Sequence, residues 1–125
     1  MRHQDVETFC LSLPATVLSV QWGAQRVYKI GGKMFAMLGP KTRIPHDLCF
    51  KAGQTSFFIL THQPHIVPAP YLARAQWVML ERLDALCAKE LKAYLVQAHA
   101  LVAAKLTRNV RSELGLERFI VSRKP

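Results

Sequence analysis

The sequence predicts an α+β protein: a two-layer sandwich in which an antiparallel sheet of about five strands carries helices on one face. Three observations predict it. Residues 22–40, WGAQRVYKIGGKMFAMLGP, read as two strands around a Gly-Gly turn, and such a pair supplies the positive φ values that a two-residue hairpin needs. Further short alternating runs flank this hairpin, as a meander requires. A long amphipathic segment, 88–106, then reaches about 28 Å as a helix, enough to cross a small sheet. Helices at the ends of a meander pack onto one of its faces.

Residues 4–13 open the chain as a helix, with Val6, Phe9, Cys10 and Leu13 on one stripe and Pro14 closing it. Leu18, Val20 and Trp22 alternate with polar residues as a half-buried strand. Arg26, Tyr28 and Ile30 alternate with Val27 and Lys29 in the next. Met34 to Leu38 is apolar on both faces, the mark of a central strand. Leu48 and Phe50 begin a fourth strand that ends at Lys51, before Gly53. Thr55 or Ser56 caps a short helix through Phe57–Leu60. Pro64, Pro68 and Pro70 argue against regular structure across 62–70. Residues 75–80 make a fifth strand. In the long helix, Leu91, Tyr94, Leu95, Ala98, Leu101 and Val102 form the apolar stripe, while Lys89, Glu90, Lys92 and Gln97 face outward. Trp22 and Trp77, as large aromatics, are expected in the interior. The organisation is one domain, 1–116, followed by a basic tail, 117–125.

Half of the 125 residues are hydrophobic, which excludes a disordered chain. Seventeen Lys and Arg against eight Asp and Glu give a formal charge of +9, which favours anionic partners. Cys10, Cys49 and Cys87 are odd in number, dispersed and set among apolar residues, so they read as free, buried thiols of a reducing compartment. No signal-peptide pattern or membrane span is visible, and a cytoplasmic location is expected.

No nucleophile elbow, carboxylate pair or motif-bound histidine assigns a catalytic role to any residue, so the chain is expected not to be an enzyme, and no cofactor is implied. His62 and His65 have ligand-like spacing but lack third and fourth partners. His46 and Cys49, at i and i+3 of a strand, point to opposite faces. No metal site is expected. Gly31-Gly32-Lys33 joins strand to strand and lacks the spacing of a phosphate loop. The remaining signal is basic residues interleaved with aromatics: Arg26, Lys29, Lys33, Lys41, Arg43, Arg74, Lys105, Arg108 and Arg111. On one face, these would neutralise several phosphates of DNA. The alternative is a protein-interaction or small-ligand domain, with 68–71 and His62/His65 framing a cleft.

FCLSLP (9–14), QWG (21–23), VYKIGGKMFAMLG (27–39), PAPYLARAQWV (68–78) and LVAAKLTRNVRSELGL (101–116) occur in that order, and this ordered set closely resembles the MmcQ/YjbR family. GGKMFA together with Tyr-Leu-x-Arg-x-x-Trp is the specific part. The resemblance implies a fold similar to the bacterial frataxin homologue CyaY, and DNA binding through a double-wing motif. Many members carry Asn-Lys where this chain has Ala73-Arg74, which keeps a positive charge and loses an amide. Many carry Ser-Tyr where it has Ala98-His99. Frataxin-like proteins bind iron through a carboxylate-rich helix. Here the first helix offers only Asp5 and Glu7 on a basic chain, so iron chaperoning is not expected.

Overall fold

The computed structural model describes residues 1–116; the predicted basic tail lies outside the described residues. Helix α1, His3–Ser12, starts where the Asp5 carboxylate accepts the Arg2 backbone N–H at 3.0 Å. It ends two residues before Pro14 and buries Val6 and Cys10. Strands β1 (Val17–Gln21), β2 (Gln25–Ile30) and β3 (Lys33–Leu38) form the predicted meander, followed by β4, Leu48–Lys51. After α2 (Gln54–Leu60) come β5 (Ile66–Pro68) and β6 (Trp77–Leu80). The chain then forms α3 (Ala88–Ala103) and a short α4, Arg108–Glu113, capped by the Thr107 side chain.

The sheet is open and antiparallel, in the order β1-β2-β3-β4-β6-β5, with one strand more than predicted. β3 is central, as its two apolar faces predict. The extra strand is β5, inside the proline-rich stretch read as irregular. It is three residues long and lies at the sheet edge, where a proline without an N–H is tolerated.

α3 packs across β2, β3 and β4. Phe35 is the extra residue of a bulge, since Tyr28 pairs with Ala36 and Lys29 with Met34. Its ring meets His99 of α3 edge-on at 5.3 Å. His99 Nε2 also donates to the Pro14 carbonyl at 2.7 Å, tying α3 to the chain leaving α1. Gln97, expected outside, turns inward: its amide nitrogen donates to the Ala52 carbonyl at 3.1 Å and fixes the entry to α2. Among the described residues, no α-helix covers the opposite face of the sheet. There Cys49, Ala69 and Trp77 cluster with the half-buried Met34, Met37, Leu72 and Met79.

Two large aromatics part company. Trp77 is 4 % exposed, as expected, but Trp22 is 65 % exposed. It sits at φ +47 in the β1–β2 turn, so its size did not decide its place. Cys10 and Cys49 are buried, and burial pushes both thiols up to about 12. Cys87 is exposed at the N-cap of α3, contrary to the buried-thiol reading: α3 presents its apolar stripe only from Leu91 onward.

Gly31 and Gly32 have φ of +59 and +80, as a hairpin turn with two left-handed positions requires. A Cβ on Gly31 would lie 2.8 Å from both Leu106 methyls. Gly31→Ala is expected to destabilise by about 1–2 kcal/mol, from the left-handed backbone and the displaced Leu106. A urea-melt midpoint unchanged from the parent would refute this.

Candidate functional site

Antiparallel order decides which basic residues meet. The β2–β3 turn, the end of β4, the start of β6 and the end of α3 all lie at one end of the sandwich, because Ile30 pairs with Lys33 and Lys51 with Trp77. α4 closes the same end, with Val110 and Leu106 against Gly31. Lys33, Lys105, Arg108 and Arg111 therefore gather here. Arg74 belongs to the β5–β6 loop at this end. Lys29 lies on the helix-free face, beside Met34 in register.

Lys33, Lys51 and Lys105 line a single cleft of about 350 Å³, with Gly32, Met34, Trp77 and Val102 completing its wall. Among the described residues, no carboxylate lines it. Five ion pairs occur among the described residues, Arg2–Asp5, Arg26–Glu7, Arg43–Asp47, His65–Glu81 and Arg82–Asp84, and none includes a lysine of the cleft. Lys51 Nζ donates to the Ala75 carbonyl at 3.0 Å. Partial burial pushes the Lys51 ammonium below its ordinary pKa, and the charge of Lys105 adds to this. Three cationic side chains around one cleft, with no counter-charge among the described residues, create a potential that attracts anions.

Lys51 was not among the candidates. A charged residue closing an apolar strand reads as solvated; its signal was its position, opposite Trp77 at the basic end.

Three predicted residues lie elsewhere. Arg26 is held by Glu7, which also accepts the Tyr28 hydroxyl at 3.0 Å. Lys41 and Arg43 sit in the β3–β4 loop at the other end, where Arg43 meets Asp47 at 3.4 Å. A larger hollow of about 590 Å³ opens there beside Lys41, His3, His46 and Arg82, but Arg82 is paired with Asp84. The His3 and His46 side chains are each bonded to a backbone carbonyl, at 2.8 and 2.9 Å.

The proline loop and the two histidines do not frame a common cleft. The cavity beside that loop, about 630 Å³, is walled by α2 and 73–76, including Phe58 and Arg74, and neither His62 nor His65 lines it. His62 Nδ1 bonds the Phe58 carbonyl of its own helix at 2.6 Å. Among the described residues, no three His, Cys, Asp or Glu side chains are placed to hold a metal ion, and no helix is long and apolar enough to cross a membrane.

The molecule is thus an α+β protein with an open antiparallel sheet, helices on one face and a cleft lined by three lysines at one end. A family model, YjbR, matches residues 11–101, and the chain belongs to the YjbR family. It is similar to the crystal structure of a Deinococcus radiodurans protein of the DUF419 domain family. The TM-score is 0.79 at 26 % identity, covering 90 % of this chain and 86 % of that one. A Pseudomonas syringae protein shares the fold, with a TM-score of 0.64 at 19 % identity over 78 % of this chain and 96 % of that one. No curated protein matches the chain.

Proposed function

We propose that this YjbR-family chain is a non-enzymatic DNA-binding module of the cytoplasm that grips phosphates through its basic end. The observation that carries the reading is the cleft of Lys33, Lys51 and Lys105, without a carboxylate among the described residues, with Arg108 and Arg111 on the neighbouring α4. The formal charge of +9 adds a long-range attraction for a polyanion. Arg26 takes no part, because its guanidinium is engaged by Glu7. A small free anion would fill the cleft too, but the cations of α4 continue the positive surface beyond it, which suits a chain of phosphates.

Fluorescence anisotropy of a labelled oligonucleotide across a salt series tests this. The logarithm of affinity is expected to fall linearly with the logarithm of salt, by about 0.9 per phosphate neutralised on duplex and about 0.7 on a single strand. Absence of binding at low salt, or binding indifferent to salt, would overturn the reading.

A further inference from the structure

The loop beside the lysine cleft holds a tyrosine that the fold does not use. Ala69-Pro70-Tyr71-Leu72 is a tight turn, closed by the Leu72 N–H on the Ala69 carbonyl at 3.1 Å. Tyr71 occupies its third position at φ +65. Proline followed by a positive φ is the type II pattern, which favours glycine or asparagine at that third position. Tyrosine there is strained, and the residue is fully exposed, so no packing offsets the strain. The turn itself is firmly seated. The Ala69 N–H donates to the Trp77 carbonyl at 3.0 Å, the Trp77 N–H donates to the Leu72 carbonyl at 3.2 Å, and Leu72 packs against the Cys49–Ala69–Trp77 cluster. Trp77 is also a wall of the cleft, and the same loop offers its Ala75 carbonyl to Lys51. The loop that supplies the Ala75 acceptor of Lys51 thus holds an exposed aromatic ring out at the same end of the sandwich as the three lysines.

We infer that Tyr71 is a stacking platform for an unpaired base, and that the ligand of the basic end is single-stranded DNA, its phosphates in the lysine cleft and a base on the Tyr71 ring. The inference rests on the phosphate-binding reading above and narrows it. A duplex keeps its base faces covered, whereas a single strand exposes a π-face at every base, and base–aromatic stacking tolerates any sequence. An exposed aromatic beside a cationic groove is the combination that single-strand binding uses. Trp22, another strongly exposed large aromatic on a turn, belongs to the β1–β2 connection at the opposite end of the sheet and provides an internal control.

The experiment compares a fluorescein-labelled oligothymidine with a duplex of equal length at one salt concentration, for the parent and for Tyr71→Ala, Tyr71→Phe, Tyr71→Gly and Trp22→Ala. The parent is expected to prefer the single strand. Tyr71→Ala loses about tenfold in single-strand affinity and little on duplex, Tyr71→Phe retains binding because the ring remains, and Trp22→Ala changes nothing. Tyr71→Gly weakens binding as alanine does, yet unfolds at higher temperature because glycine relieves the turn. Duplex bound as tightly as single strand, no effect of Tyr71→Ala, or an equal loss in Trp22→Ala would overturn the stacking role. In each of those cases a retained salt dependence leaves the phosphate reading standing. Its loss on both ligands would remove that reading itself.

Discussion

Glu7→Ala is expected to destabilise the protein by about 2–3 kcal/mol at pH 7, the scale for leaving polar partners unpaired in a partly buried network. The Glu7 carboxylate takes the Arg26 guanidinium through both oxygens and also accepts the hydroxyl of Tyr28, whose side chain is fully buried. The Glu7 and Arg26 side chains are 25 % and 29 % exposed, so solvent screens the pair only in part. Removing the carboxylate leaves a guanidinium and a phenol facing each other without that acceptor, and α1 loses its polar tie to β2. Glu7→Gln keeps an acceptor for Tyr28 and is expected to cost roughly half as much. The pH dependence has a definite sign. Burial pulls the Glu7 carboxyl upward, but hydrogen bonds from Arg26 and Tyr28 outweigh it and hold it below the ordinary carboxylate value. A lowered folded pKa gives stability that is complete above the unfolded value, about 4.3, and is lost as pH falls through the folded one. Thermal melts of parent and Glu7→Gln should therefore converge as pH falls through the lowered Glu7 pKa. A gap that stays constant from neutral to acid pH would rule out the charge as its cause.

This network also marks where sequence reasoning stops. Glu7 was visible as one of two acids on the first helix, and Arg26 as a basic strand residue. Nothing in their spacing says that α1 crosses β2 at that point, so Arg26 read as available for phosphate. The meander was legible because Leu18–Trp22 and Arg26–Ile30 alternate, and Gly31-Gly32 fits a turn that few other residues accept. β5 was not legible, since three edge residues that include Pro68 show no period. α4 escaped for a similar reason: six mostly polar residues have no stripe, and only Thr107 signals a cap. The split of the basic set followed from this. Which loops share an end depends on counting strands correctly, and with β5 missing, the 69–76 loop cannot be assigned beside Lys33 and Lys105. Lys51 became a candidate only when its register partner, Trp77, was known.

Replacing Lys33, Lys51 and Lys105 together by glutamine is expected to reduce DNA affinity roughly 100-fold near physiological salt and to flatten the salt dependence by about 2 to 3 in log–log slope, since three phosphate contacts vanish. The companion expectation concerns stability, and it separates a binding cluster from a structural one. Burial first, and the neighbouring Lys105 charge second, hold the Lys51 ammonium below its ordinary pKa. A lysine whose folded pKa is lowered is penalised in its charged form. At neutral pH the folded protein therefore carries an electrostatic cost that fades only as pH rises through the lowered pKa. Lys105→Gln removes part of that cost and should leave the melting temperature unchanged or slightly higher, while affinity falls. Residues that serve the fold lose stability when replaced; residues kept for a ligand at the expense of self-repulsion do the reverse. Anisotropy and thermal melts on the same preparations decide the matter. If the triple variant melts markedly lower, in step with its loss of affinity, the lysines are structural. If affinity survives the three replacements, the cleft is not where the phosphates go.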